Sequence, residues 1–83
     1  MRRIEIYTTP TCPDCHRLKG WFTAMALRFV EHDLSHPVIS DEAKRRTGVW
    51  IAPITLIDGE VITGQAADQI KRIRSLIGLP HAA

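Results

Sequence analysis

Cysteine is scarce: the 83 residues hold two, at positions 12 and 15. A pair that close cannot staple distant parts of a small secreted fold. A disulfide framework is thereby set aside, and the pair reads as catalytic or metal-binding in a reducing compartment. Aromatics are few, only Tyr7, Trp21, Phe22, Phe29 and Trp50, and the formal net charge is a mild +2. Neither a base-stacking platform nor a strong polyanion surface is indicated, which argues against nucleic-acid binding. No apolar run approaches membrane-spanning length, and Met1-Arg2-Arg3-Ile4-Glu5 places charge where a signal peptide needs its apolar core. The expected setting is cytoplasmic, with no membrane partner. Linkers, repeats and low-complexity segments are absent too. Residues 1–83 therefore read as a single domain, taken as a monomer, whose hydrophobic fraction of 45% suffices for a small core.

What is there is organised around Thr11-Cys12-Pro13-Asp14-Cys15-His16. From Leu18 onward, apolar residues fall at Leu18, Trp21, Phe22 and Met25, the spacing of one helix face, so the C-x-x-C opens a helix running from about Pro13 to Ala26. Thr11 suits the N-cap and Pro13 the first turn. Gly20 sits mid-helix at a cost of roughly 1 kcal/mol against Ala, read as room for a strand to approach. Arg3 to Tyr7 forms a first strand and Phe29 to Leu34 contains a second. Ser35 caps a second helix that passes Pro37 and stops near Thr47-Gly48. Ile54-Thr55-Leu56-Ile57 and Glu60-Val61-Ile62 flank Asp58-Gly59, a strong hairpin signal. A last helix spans Ala66 to Ile77, with Ile70, Ile73 and Ile77 on one face and Gly78 and Pro80 as its stop. The order β-α-β-α-β-β-α predicts an α/β fold with a mixed four-stranded sheet flanked by three helices. Its first two strands are parallel and the hairpin is antiparallel.

Thiol-disulfide exchange needs an exposed thiolate and a second thiol close enough to break the mixed disulfide. Cys12, at the helix terminus, meets unpaired N–H groups and the positive end of the dipole, which favour its thiolate. Cys15 lies a turn deeper and suits the resolving role. Asp14, between them, opposes the thiolate by like-charge repulsion. His16 could assist Cys12 as an imidazolium or be an ordinary exposed histidine.

Tyr7-Thr8-Thr9-Pro10-Thr11-Cys12-Pro13-Asp14-Cys15-His16, the Ala52-Pro53 step before a β run, and Gly64 after the hairpin together resemble the glutaredoxin family, which has the thioredoxin fold. The resemblance implies a thiol-disulfide oxidoreductase without a bound cofactor. Cys12 and Cys15 are the implied catalytic pair, and Pro53 the implied cis proline. Thr9, Pro13, Asp14, Ile51, Ala52, Pro53, Gly64 and Gln65 are the implied substrate-binding residues, with no metal ligand among them. Glutathione-binding members carry a Lys before the motif, a Tyr inside it and a Gly-Gly-x-Asp-Asp-like stretch. Here those positions are Thr9, Asp14 and Thr63-Gly64-Gln65-Ala66-Ala67. The spacing from Gly64 to Asp68, and Thr8-Thr9-Pro10, are closer to NrdH-type redoxins, although Gln65 replaces their aromatic. The implied electron source is glutathione or an NADPH-dependent thioredoxin reductase. The implied partners are disulfide-containing proteins, ribonucleotide reductase among them.

Two other readings compete. His32 and His36, spaced H-x3-H, would with Cys12 and Cys15 supply a structural zinc site. Residues 16–31 separate the two pairs, however, a longer interval than a finger uses, and His32 reads as strand. The alternative for both histidines is the surface. A redox-sensing interaction module is the other. Lys44-Arg45-Arg46 and Lys71-Arg72 with Arg74 read as solvated helix faces before a docking patch. Trp50 divides evenly between a contact beside the site and core packing, whereas Trp21 reads as core.

Overall fold

The computed structural model describes residues 3–78. Seven elements follow in the expected order: β1 (Ile4–Thr8), α1 (Pro13–Ala24), β2 (Val30–Asp33), α2 (Pro37–Thr47), β3 (Ile54–Ile57), β4 (Glu60–Ile62) and α3 (Ala66–Ile77). They build one four-stranded sheet of order β2-β1-β3-β4. β1 runs parallel to β2, with Glu5 opposite Val30, and antiparallel to β3, with Ile6 opposite Thr55. The Asp58-Gly59 turn joins β3 to β4, and its residues have φ of 48° and 89°. Both angles lie in the left-handed region that a tight hairpin of primed type requires.

Strand alternation divides the residues of β1 between two layers. Ile4 and Ile6 pack with Leu18 and Phe22 of α1, Ile57 and Ile62 of the hairpin, and Ala66 and Ile73 of α3. Tyr7 packs on the other face with Leu34, Ala43 and Ile54. The motif helix and α3 thus share one face of the sheet, and α2 covers the other.

Helix ends account for most departures from the sequence reading. Cys12 itself, not Thr11, is the N-cap of α1, because its sulfur accepts the Cys15 N–H and Pro13 takes the first helical position. α1 closes at Ala24, two residues early, where Ala26 turns left-handed at φ 56°. α2 starts at Pro37 after His36, with no side-chain cap. Ser35 is unavailable because its N–H and hydroxyl both donate to Asp33 Oδ1, at 2.9 and 2.7 Å. Gly48 and Gly78, both left-handed, end α2 and α3. The expected stop at Pro80 lies outside the described residues. Gly20 is exposed, and a Cβ there would meet nothing within 4 Å. The close strand approach read into it is not what the helix uses it for. Trp21 is half-buried at the rim of the core, beneath the Arg74 guanidinium 5.4 Å from its ring. No described helix is long and apolar enough to cross a membrane.

Candidate active site

The site begins with the backbone of Cys12. At φ −101° and ψ 106° this residue is extended, and the chain turns into α1 at Pro13. The turn brings the Cys15 N–H to 3.1 Å from Cys12 Sγ. Sulfur therefore takes the place of the oxygen that usually caps a helix, next to the positive end of the helix dipole. Cys12 and Cys15 form a disulfide with their Cα atoms 5.2 Å apart, a separation well within the range for such bridges. Cys12 is half-buried, while Cys15 is wholly enclosed. His16 is exposed and its Nε2 is 3.1 Å from the Pro10 carbonyl oxygen, a bond to the preceding loop.

Asp14 turns toward α3. Its Oδ1 accepts the N–H of Ala66, the first residue of that helix, at 3.2 Å. This bond, across 52 positions of sequence, ties the motif to the far end of the chain. An open groove of about 390 Å³ lies beside it, lined by Asp14, Val49, Ile51, Ala52, Pro53, Thr63, Gly64 and Gln65. Six of the eight residues expected from the resemblance to contact substrate meet here: Asp14, Ile51, Ala52, Pro53, Gly64 and Gln65. Thr9 does not. It lines a second depression with Thr8, Pro10, Lys19, Glu31 and Asp33. Pro13 lines neither and is exposed at the start of α1. The Ala52–Pro53 peptide is cis, in agreement with the resemblance. Ile51 and Trp50 stand out at 73% and 56% exposure. Lys44 lies over the Trp50 ring at 4.8 Å, so core packing is not this tryptophan's role.

Sequence reasoning misses Gln69. Its buried amide donates to the carbonyls of Pro53 and Gly64, at 2.8 and 3.0 Å, and accepts the Thr55 hydroxyl at 2.6 Å. Two walls of the groove are thereby fastened to α3 by one side chain. The available signal was a polar residue among Ala66, Ile70 and Ile73 on the apolar face of α3.

The zinc grouping does not assemble. Among the described residues no three or more His, Cys, Asp and Glu side chains are placed to hold a metal. His32 is not a plain surface residue. It is half-buried, stacks on Tyr7 with ring centroids 4.8 Å apart, and bonds Glu5 at 3.0 Å. His36 is exposed, 3.7 Å from Asp33. Arg46, read as part of a solvated face, donates to both Glu5 oxygens, at 3.0 and 2.8 Å, and to the Tyr7 hydroxyl at 2.7 Å. Its guanidinium holds the Glu5 carboxyl down at about 2, against desolvation that would raise it. Burial, with the Glu42 carboxylate, pushes the Tyr7 phenol up.

A disulfide at the N-terminus of a helix, on a mixed sheet with a cis proline ahead of β3, defines a redoxin of the thioredoxin fold. The Glutaredoxin family model matches residues 4–62, and the chain belongs to that family. Glutaredoxin 3 of Escherichia coli K12 is 36% identical over 69 residues, covering 77% of this chain and 78% of the relative. An uncharacterized glutaredoxin-like 8.6 kDa protein in the rubredoxin operon of Clostridium pasteurianum is 31% identical over 74 residues, covering 84% and 95%. The crystal structure of the thioredoxin-like protein BC3987 superposes with a TM-score of 0.79 at 28% identity, over 89% of this chain and 99% of that one. The protein is a thiol-disulfide oxidoreductase.

Proposed function

We propose that Cys12 is the nucleophile and Cys15 the resolving thiol in the reduction of disulfide-bearing proteins. The Cys12 thiolate attacks one sulfur of the substrate, and the substrate S–S bond breaks as the other sulfur leaves and takes a proton. Cys15, once deprotonated, attacks Cys12 Sγ, releases the second substrate thiol and leaves the Cys12–Cys15 disulfide. Two electrons have passed to the substrate, and two must return from glutathione or from an NADPH-dependent thioredoxin reductase. An extended substrate segment lies along exposed Ile51 and half-buried Ala52, over buried Pro53 in the groove wall, an apolar stretch that suits one. Ribonucleotide reductase is a candidate among such substrates.

The observation that carries this assignment is Cys12 as N-cap, with its sulfur 3.1 Å from the Cys15 N–H. An N–H and a helix dipole directed at sulfur stabilise the anion, and the enclosure of Cys15 leaves Cys12 the sulfur open to attack or be attacked. Reduction of a model disulfide, supplied in parallel by glutathione with glutathione reductase and by thioredoxin reductase, both with NADPH, tests it. Cys12→Ser is expected to abolish turnover, and Cys15→Ser to accumulate a mixed disulfide visible by mass. The supply that sustains turnover identifies the donor. Turnover with neither supply overturns the assignment.

A further inference from the structure

Of the eight residues lining the groove, Asp14 alone carries an ionisable side chain; the others are aliphatic, small or neutral polar. Its carboxylate accepts the first N–H of α3. That helix is 12 residues long, so the positive end of its dipole faces the groove with a protein carboxylate already on it. An incoming carboxylate at this end meets a like charge and finds the leading donor taken. An incoming ammonium or an uncharged group meets neither obstacle. We propose that Asp14 is a specificity-determining residue: it favours disulfides whose half entering the groove is neutral or cationic over anionic ones such as oxidised glutathione. The proposal rests on the oxidoreductase reading above and adds to it the charge class of the substrate.

Like-charge repulsion between Asp14 and Cys12 affects every substrate alike through the nucleophile. Selection in the groove affects substrates differently according to charge. Only the second survives in a ratio of rates measured on one protein, and that ratio is the quantity to follow.

The test uses the pre-reduced full chain in single-turnover reactions, following formation of the Cys12–Cys15 disulfide, so that no electron donor enters. Three probes are compared: cystamine, cationic; hydroxyethyl disulfide, neutral; and oxidised glutathione, anionic. Asp14→Asn keeps an oxygen for the Ala66 N–H and removes the charge, and Asp14→Glu restores it. Passing from wild type to Asp14→Asn, the cystamine-to-glutathione rate ratio is expected to fall about tenfold, to return in Asp14→Glu, and in the wild type to shrink with added salt. A ratio unchanged in Asp14→Asn, with all three disulfides reacting, overturns the proposal and leaves the oxidoreductase reading standing. A wild type that reacts with none of them overturns both. Thermal unfolding of each variant identifies any loss of fold, and in that event the wild-type ratio decides: a preference for cystamine that persists undiminished in high salt overturns the proposal.

Discussion

Neighbouring residues of β1 enter two different environments. Ile4 and Ile6 join an apolar layer under α1 and α3, whereas Glu5 and Tyr7 enter a layer under α2. That second layer also holds the guanidinium of Arg46, the carboxylate of Glu42 and the imidazole of His32. The first face is held mainly by burial, which is non-directional and tolerates adjustment. The second depends on named partners at hydrogen-bond distance, and removing one strands the others. Cys12, Asp14 and Gln69 belong to α1 and α3, the helices of the apolar face. The redox site is thus supported by the forgiving layer, and the demanding layer lies across the sheet from it.

The comparison breaks first if the apolar face is not what holds the molecule together. Phe22 is fully buried, with the Phe29 and Trp21 rings 5.3 and 5.6 Å away. Phe22→Ala is expected to cost about 3–5 kcal/mol. At roughly 0.05–0.15 kcal/mol per residue a domain of this size has a total of about 4–12 kcal/mol, so the variant should be left with a small part of its stability. Urea unfolding measures the loss, and a cost below about 1 kcal/mol would show that the layer repacks without it.

The charged face gives the next largest effect, through pH. Arg46 depresses the Glu5 carboxyl from its ordinary 4.5 to about 2. In the unfolded chain Glu5 recovers its ordinary affinity for protons. A depressed folded value means that the stabilisation is complete above the unfolded pKa and is lost as pH falls through the folded one. Between pH 6 and pH 2 the wild type should lose on the order of 3 kcal/mol through Glu5, and Glu5→Gln should not. Glu31, lowered by Lys19 and Thr8, and Asp33, lowered by Ser35, add acid sensitivity of the same sign. Both are present in wild type and variant and cancel in the difference. Urea midpoints of the two proteins across that range are the measurement. Parallel pH profiles would mean that the Arg46–Glu5 pair does not hold Glu5 ionised.

Unequal legibility of the two faces follows from the same physics. The apolar layer announces itself by period: Leu18 and Phe22 at helical spacing, and the alternation of β1. The element order, the parallel first pair and the Asp58-Gly59 turn could all be read from local pattern. The Cys12–Cys15 pair could as well, because a helix terminus four residues long carries its own chemistry. The charged layer leaves no such trace. Glu5 and Arg46 are 41 positions apart, and a guanidinium at the end of a basic run looks the same whether it is solvated or turned inward. The Asp14–Ala66 and Gln69–Pro53 bonds escape for the same reason. Each depends on where α3 docks, and nothing within α3 states that. Thr9, a substrate contact by likeness of sequence position, lies instead with Pro10, Lys19 and Glu31 in a separate depression.

The smallest expected effect separates the faces most sharply, because it sets two losses of similar size against each other. Gln69→Leu fills the space but leaves the Pro53 and Gly64 carbonyls without their donor and the Thr55 hydroxyl without its acceptor. The cost is about 1–3 kcal/mol. Arg46→Met, which strands Glu5 on the α2 face but leaves His32 beside it, is expected to cost a comparable amount. If stability alone governed activity, the two variants would slow disulfide reduction equally. If Gln69 instead acts as a positioning residue that sets the groove wall, they part. Under conditions where both are fully folded, Gln69→Leu should raise KM for a protein disulfide several-fold with little change in kcat, and Arg46→Met should leave both near wild type. Gln69→Asn, too short to reach both carbonyls, should resemble Gln69→Leu in KM. An unchanged KM in Gln69→Leu would reduce Gln69 to a buried structural amide, and the groove would then owe its shape to the β3 and β4 backbones alone.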